Sequence, residues 1–261
     1  TLMAEVRLSF QSKKLRLNNN LPRLIGHRGV KDLEPENTLK SISTAFELGL
    51  ECVEVDVKIS KDKIPLLLHD DSLERTTTGF GLVSNFRFEE INQLDAGYFF
   101  YKHKTNIKVP KLSDVLEFVK IKQKYINIEL KPNKGLEEIN VEKILEEVKK
   151  ISYQKIYFSS FDLPSCISLK EKSPHSLCGL LKDDFDNINI NNTIDICKKN
   201  NLFSCGINYK LFSKSLVDEF KKNNIQINVY SDKNISADVA KNLWNNNVSS
   251  IFVDDPSTYL K

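Results

Sequence analysis

The sequence predicts an α/β chain closed into one (β/α)8 TIM barrel, somewhat irregular, with a small insertion after the early strands. Three observations carry this. The chain has 261 residues, close to the ~250 that a single barrel of this kind needs. From Ile126 onward, short apolar runs alternate with helical stretches across short loops, the pattern of strand–helix units on a parallel sheet. No low-complexity linker or internal repeat divides residues 1–261, so one domain is expected.

Taken in order, Thr1 to Asn20 is basic and lacks the continuous apolar core of a signal peptide. The sequence starts without a methionine, so a removed signal peptide stays open beside the expected cytoplasmic localisation. Arg23–Gly26 reads as the first strand. Asn37 or Thr38 is placed to cap a helix with Leu39, Ile42 and Phe46 on one face, ended by Gly49. Cys52–Ile59 is the next strand, Lys61-Asp62-Lys63 a tight turn, and Ile64–Leu68 a further strand. That link is too short for a parallel crossover, which takes roughly a dozen residues or more, so the pair is expected as a hairpin.

Residues 72–108 look irregular, with a helical stretch near Phe88–Leu94, and are expected to cover the active-site end with little core of their own. Ser113 is expected to cap a helix through Lys120, with Val115, Leu116 and Val119 on one side. Strands then follow at Ile126–Leu130, Lys155–Ser159, Leu177–Leu181, Phe203–Ile207, Ile225–Tyr230 and Ser250–Val253. Helices fall between them at Glu138–Lys150, Leu163–Glu171, Thr193–Asn200, Lys214–Asn223 and Ala237–Asn245. The nine strands are one too many for the barrel, and the early hairpin holds the surplus one.

Apolar content of 40% with 28% charged residues suits a globular chain with a sizeable core. The net charge of +3 is spread thinly and carries no basic block interleaved with aromatics, so no nucleic-acid partner is expected. No stretch approaches the ~20 apolar residues of a membrane span. The five cysteines lack metal-type spacing and several sit in apolar runs, as in a reducing compartment. Oligomeric state is not legible.

The candidate chemistry sits at strand ends, where barrel active sites lie. Glu54 and Asp56 are two apart on one strand and so face the same way. With Glu129 they form a candidate all-oxygen cage for Mg2+ or Ca2+; the alternative is ion pairing with Lys58, Arg28 or Lys131. His27 and His69, at the ends of apolar runs, are candidate general base and acid respectively, because imidazole exchanges protons near neutral pH. His103 and His175 read as ordinary surface residues. Arg28 offers a planar fork to a phosphate, and Lys131 a point charge. Gly26 and Gly29 would let the backbone approach a ligand closely. Tyr98, Phe99 and Phe80 either line a pocket or form the insertion's own core.

These residues resemble the glycerophosphodiester phosphodiesterases. The matching segments, in the family's order, are His27-Arg28-Gly29, Pro35-Glu36-Asn37-Thr38, Glu54-Val55-Asp56-Val57, His69-Asp70 with Leu73-Glu74-Arg75-Thr76-Thr77, Leu94-Asp95-Ala96-Gly97-Tyr98-Phe99, and Asn127-Ile128-Glu129-Leu130-Lys131. The resemblance implies hydrolysis of glycerophosphodiesters to sn-glycerol 3-phosphate and an alcohol with one divalent cation. It also puts Glu36 in the site, although a helix-capping role is open, and matches Phe161 after Ser159-Ser160. At the late strand, where the family shows a Trp-Thr-Val-Asn type sequence, this chain has Val229-Tyr230-Ser231-Asp232. Tyr230 keeps an aromatic there, while the lost indole puts alcohol-group preference in question. The rival readings are a phospholipase D-like barrel acting on lysophospholipid or sphingomyelin, and a non-catalytic phosphodiester binder.

Overall fold

The computed structural model describes residues 21–184 and 190–259. The basic Thr1–Asn20 stretch, with its bearing on a leader, lies outside them. Among the described residues are nine strands: β1 Leu24–Gly26, β2 Cys52–Ile59, β3 Pro65–Leu67, β4 Tyr125–Leu130, β5 Ile156–Ser160, β6 Cys178–Lys182, β7 Ser204–Asn208, β8 Gln226–Tyr230 and β9 Ser250–Val253. Eight of them pair in parallel, in the order β1-β9-β8-β7-β6-β5-β4-β2, and the β1–β2 pairing closes the ring. β3 is antiparallel to β2 and stands outside the barrel, the surplus member of the hairpin. No helix among the described residues is long and apolar enough to cross a membrane.

Alternation along β2 explains how the barrel is filled. Val53, Val55 and Val57 join the large core between strands and helices, with Ile126, Ile128 and Leu130 of β4. Their neighbours Cys52, Glu54, Asp56 and Lys58 are buried on the opposite face, toward the barrel interior. Ile25, Cys52, Tyr157 and Phe252 pack there as a separate cluster. All five cysteines are buried and free. Helix Lys214–Lys222 seats Leu216, Val217 and the fully buried Phe220 on the strands.

Thr38 caps the Leu39–Glu47 helix by accepting the Ser41 N–H. Asn37 is instead left-handed (φ 56°) and reaches β2. Leu39 is more than a third exposed, and Ser41 and Ala45 complete the buried face with Ile42 and Phe46. Ser113 does not cap its helix. The helix begins at Leu112, after an extended Lys111 that provides no side-chain cap, and Ser113 falls within its first turn, where its hydroxyl contacts Asp114. The 72–108 segment has more core than its length alone implied. Leu66 and Leu68, on the outer face of the hairpin, give a floor on which Leu73, Val83, Phe88, Ile91, Ala96 and Val109 gather. The segment carries short helices at Phe88–Ile91 and Tyr98–Tyr101.

Candidate active site

The β2–β4 register sets Asp56 beside Glu129 and Glu54 beside Asn127. Oxygens of Glu54, Asp56 and Glu129 lie within 4.8 Å of one another, all buried. Glu54 Oε2 accepts the Arg28 N–H at 2.9 Å, while its Oε1 is buried with no hydrogen-bond partner. Asp56 Oδ2 accepts from Asn37 Nδ2 at 2.8 Å, and the Asp56 N–H donates back to Asn37 Oδ1. Arg28 Nε stands 3.2 Å from Asp56 Oδ2. Lys131 Nζ is 2.6 Å from Glu129 Oε1 and 3.7 Å from Asp56 Oδ1. Lys58 turns elsewhere, to Asp71 at 2.6 Å.

Burial, then the Asp56 charge, holds the Glu54 carboxyl well above its ordinary range and raises Glu129 to about 7. Burial acts on Asp56 too, but Arg28 and Lys131 outweigh it and keep that group low. The acids therefore titrate differently for lack of enough positive charge. A hard divalent cation fits such a set: three oxygen-bearing side chains, one with an unpartnered buried oxygen.

Both imidazoles are clamped by carboxylates. His27 Nδ1 lies 2.7 Å from Asp254 Oδ1, just past β9, and Lys31 Nζ holds the other oxygen at 2.8 Å. His69 Nδ1 lies 2.6 Å from Asp70 Oδ1. An Nδ1–H donated to a carboxylate leaves Nε2 as the acceptor. Burial lowers the pKa of His69; Asp56 opposes this, and Arg28 and Lys131 reinforce it. Asp70 accepts in turn from Arg75 Nε at 2.6 Å, and Arg75 grips Glu36 through two nitrogens at 2.7 and 2.8 Å. Glu36 also accepts from Arg28 at 2.9 Å. An alternating row of charges, Arg28–Glu36–Arg75–Asp70–His69, thus spans the mouth. Glu36 sits in this row rather than among the three caged acids.

A cavity of about 480 Å³ is lined by His27, Arg28, Glu36, Glu54, His69, Glu129 and Lys131, with Phe161 and Tyr230 on its wall. Phe99 lines a smaller adjoining hollow of about 270 Å³, which shares Lys31, Glu36 and Arg75 with the first. Tyr98 lines neither of these and packs edge-to-face on Phe99, and Phe80 is largely exposed. Gly29 (φ +86°) has no room for a Cβ, which would stand 2.3 Å from Ser41 Oγ. Sequence reasoning did not assign Asp254, Asn37, Arg75 or Lys31 to the site. Asp254 had a signal, since an acid one residue past the last strand lies next to the first strand in any closed barrel.

Two histidines, buried carboxylates and the cationic Arg28 and Lys131 gathered at the mouth of a closed barrel give a site suited to a phosphate ester. The sequence profile described as the glycerophosphoryl diester phosphodiesterase family matches residues 27–258, and the chain belongs to that family. It is 36% identical over 159 residues to a glycerophosphodiester phosphodiesterase of Caldanaerobacter subterraneus, covering 60% of this chain and 65% of that protein, just under two thirds of its length. It is 32% identical over 170 residues to a glycerophosphodiester phosphodiesterase of Bacillus altitudinis, covering 63% and 68%. Among solved structures, a phosphodiesterase of Oleispira antarctica in complex with the product sn-glycerol-3-phosphate superposes with a TM-score of 0.83 at 30% identity, covering 90% of this chain and 93% of that one.

Proposed function

We propose that this chain hydrolyses glycerophosphodiesters to sn-glycerol 3-phosphate and an alcohol, using one divalent cation and two histidines. The observation that carries the reading is the convergence of Glu54, Glu129, both imidazoles, Arg28 and Lys131 on one cavity, with Asp56 clustered behind the two acids. The product bound in the Oleispira relative supports the same substrate class. Glu54, Asp56 and Glu129 would hold the cation, with Mg2+ or Ca2+ the fitting choices for oxygen donors. When bound, it would supply Lewis-acid polarisation of phosphoryl oxygens and would make the attacking hydroxyl more acidic.

Arg28 and Lys131 attract the diester and balance the charge that builds on phosphorus. His27, held at Nδ1 by Asp254, takes the proton of the attacking hydroxyl at Nε2. That hydroxyl belongs to water or to the glycerol's own neighbouring carbon; in the second route the cyclic phosphate that forms is opened by water to give sn-glycerol 3-phosphate. His69 gives a proton to the departing alkoxide; its lowered pKa makes the protonated ring a stronger acid than free imidazole. Glu36 fixes both Arg28 and Arg75, and Phe161, Tyr230 and Phe99 are the candidates for contact with the alcohol portion, with Tyr98 behind Phe99. The test is incubation with glycerophosphocholine in Mg2+, Ca2+ or EDTA, with products identified by phosphorus NMR. Glycerol phosphate formed only with metal is expected. Choline phosphate as product, or no turnover under any condition, would overturn the reading.

A further inference from the structure

The cavity is chemically two-sided, and the proposed proton transfer and phosphate binding use only one side. Its far wall is built from the ends of β5, β6, β7 and β8. Asp183 follows β6, Asp232 follows β8, and both line the cavity together with Phe161 and Tyr230. Asn208, the last residue of β7, ties the two carboxylates together: its Nδ2 lies 3.1 Å from Asp183 Oδ1 and 3.2 Å from Asp232 Oδ1. The Tyr230 hydroxyl lies 3.1 Å from Asp183 Oδ1 and 3.0 Å from the Lys182 carbonyl. Phe161 meets Tyr230 edge-to-face with ring centroids 5.7 Å apart, yet remains 43% exposed at the cavity wall. Apolar ring surface left open inside a charged cavity is surface that a ligand can cover.

We infer that Asp183 and Asp232, with the rings of Phe161 and Tyr230, select diesters whose alcohol carries a positive charge, an alkylammonium head group. This rests on the hydrolase reading above and extends it to the leaving group. A diester anchored by its phosphate at Arg28 and Lys131 extends its alcohol along the cavity toward this wall. Carboxylates attract a cation there, and aromatic faces suit one with a methylated or aminoethyl surface. The positive charges bordering the wall do not cancel it. Lys210 Nζ is 3.5 Å from Asp183 Oδ1, but its side chain is half exposed. Lys131 stands over the Phe161 ring at 5.1 Å, at the phosphate end. A neutral polyol head would find two carboxylates and two rings, and no charge match.

The test compares kcat/KM for glycerophosphocholine, glycerophosphoethanolamine and the neutral-headed glycerophosphoglycerol at constant ionic strength, in the metal-loaded full chain. The wild type is expected to favour the cationic heads by roughly tenfold, the scale of a partly desolvated cation–aromatic and ion contact. In Asp183→Asn/Asp232→Asn that ratio is expected to collapse toward unity, with retained circular dichroism showing a folded chain. Asp232→Asn alone, on an exposed side chain, is a conservative second variant and should lose part of the ratio. Choline chloride should inhibit the wild type more strongly than sodium chloride does, and the double variant equally with both. Turnover without head-group preference, or a preference that survives in the double variant, would overturn this inference and leave the hydrolase reading standing. Absence of turnover with all three diesters would instead strike that reading.

Discussion

Replacing Glu54 by glutamine should stabilise the metal-free protein while weakening its response to metal. Glutamine keeps an oxygen for the Arg28 N–H and removes one charge from a cage whose ligand oxygens lie within 4.8 Å of each other. At that separation a single carboxylate–carboxylate repulsion is on the order of 3 kcal/mol for an effective dielectric constant near ~20. Arg28 offsets part of it, so a net gain of about 1–3 kcal/mol is expected near pH ~8, or about 2–6 °C in Tm for a chain of this size. The sign with pH follows from the raised carboxyls. A group that binds its proton more tightly folded than unfolded contributes stability below the unfolded pKa, and that contribution is lost as pH rises through the folded one. For Glu129 the window runs from 4.5 to about 7, and Glu54 shifts in the same direction. Glu129 titrates in both proteins, so the difference follows Glu54: the wild type in EDTA should lose stability relative to Glu54→Gln as pH rises above the ordinary carboxylate range, and the two should converge below pH ~5. Saturating metal should stabilise the wild type by about 3 kcal/mol at a hundredfold excess over Kd, and the variant by much less. Thermal melts with and without EDTA measure both effects. A variant that is less stable in EDTA near pH ~8, or that keeps the full metal gain, would refute the reasoning.

The other expectations concern orientation and backbone. His27→Ala and His69→Ala should each lower kcat by about 10²–10⁴-fold with the fold intact by circular dichroism; near-normal turnover in either removes that residue from proton transfer. Asp254→Asn should reduce kcat/KM by about 10–100-fold, because the amide no longer fixes the Nδ1–H tautomer of His27, and steady-state kinetics check it. Gly29→Ala should cost at least about 2 kcal/mol in urea denaturation, combining a left-handed backbone with a blocked Cβ position. An unchanged midpoint would show that this turn relaxes freely.

Much of the barrel was legible because its strands are short apolar runs with sharp polar boundaries. Cys52–Ile59, Ser250–Val253 and the helix Ala237–Asn245 coincide with their sequence-based limits. The other strand limits moved by one residue or so, as for Ile156–Ser160 and Cys178–Lys182, where flanking polar residues still hydrogen-bond in the ladder. The surplus strand was legible from the turn length alone. The positions of Glu54, Asp56 and Glu129 followed from period-two alternation. What stayed hidden was the network between segments. Nothing local to Glu36 says that it lies between two arginines, and Asn37 looks like a helix cap until its partner on β2 is seen. Likewise the core of residues 72–108 is borrowed from Leu66 and Leu68, which count as barrel hairpin in the sequence.

The His27–Asp254 pair joins positions 227 residues apart, across the seam where β1 meets β9. A chain still emerging from the ribosome has every caged acid and both imidazoles long before it has Asp254. The contact that fixes the His27 ring forms only as the last strand arrives, so ring closure and the orientation of that imidazole are one event. Half-made or C-terminally clipped molecules would then carry the three clustered acids but an untethered His27 ring.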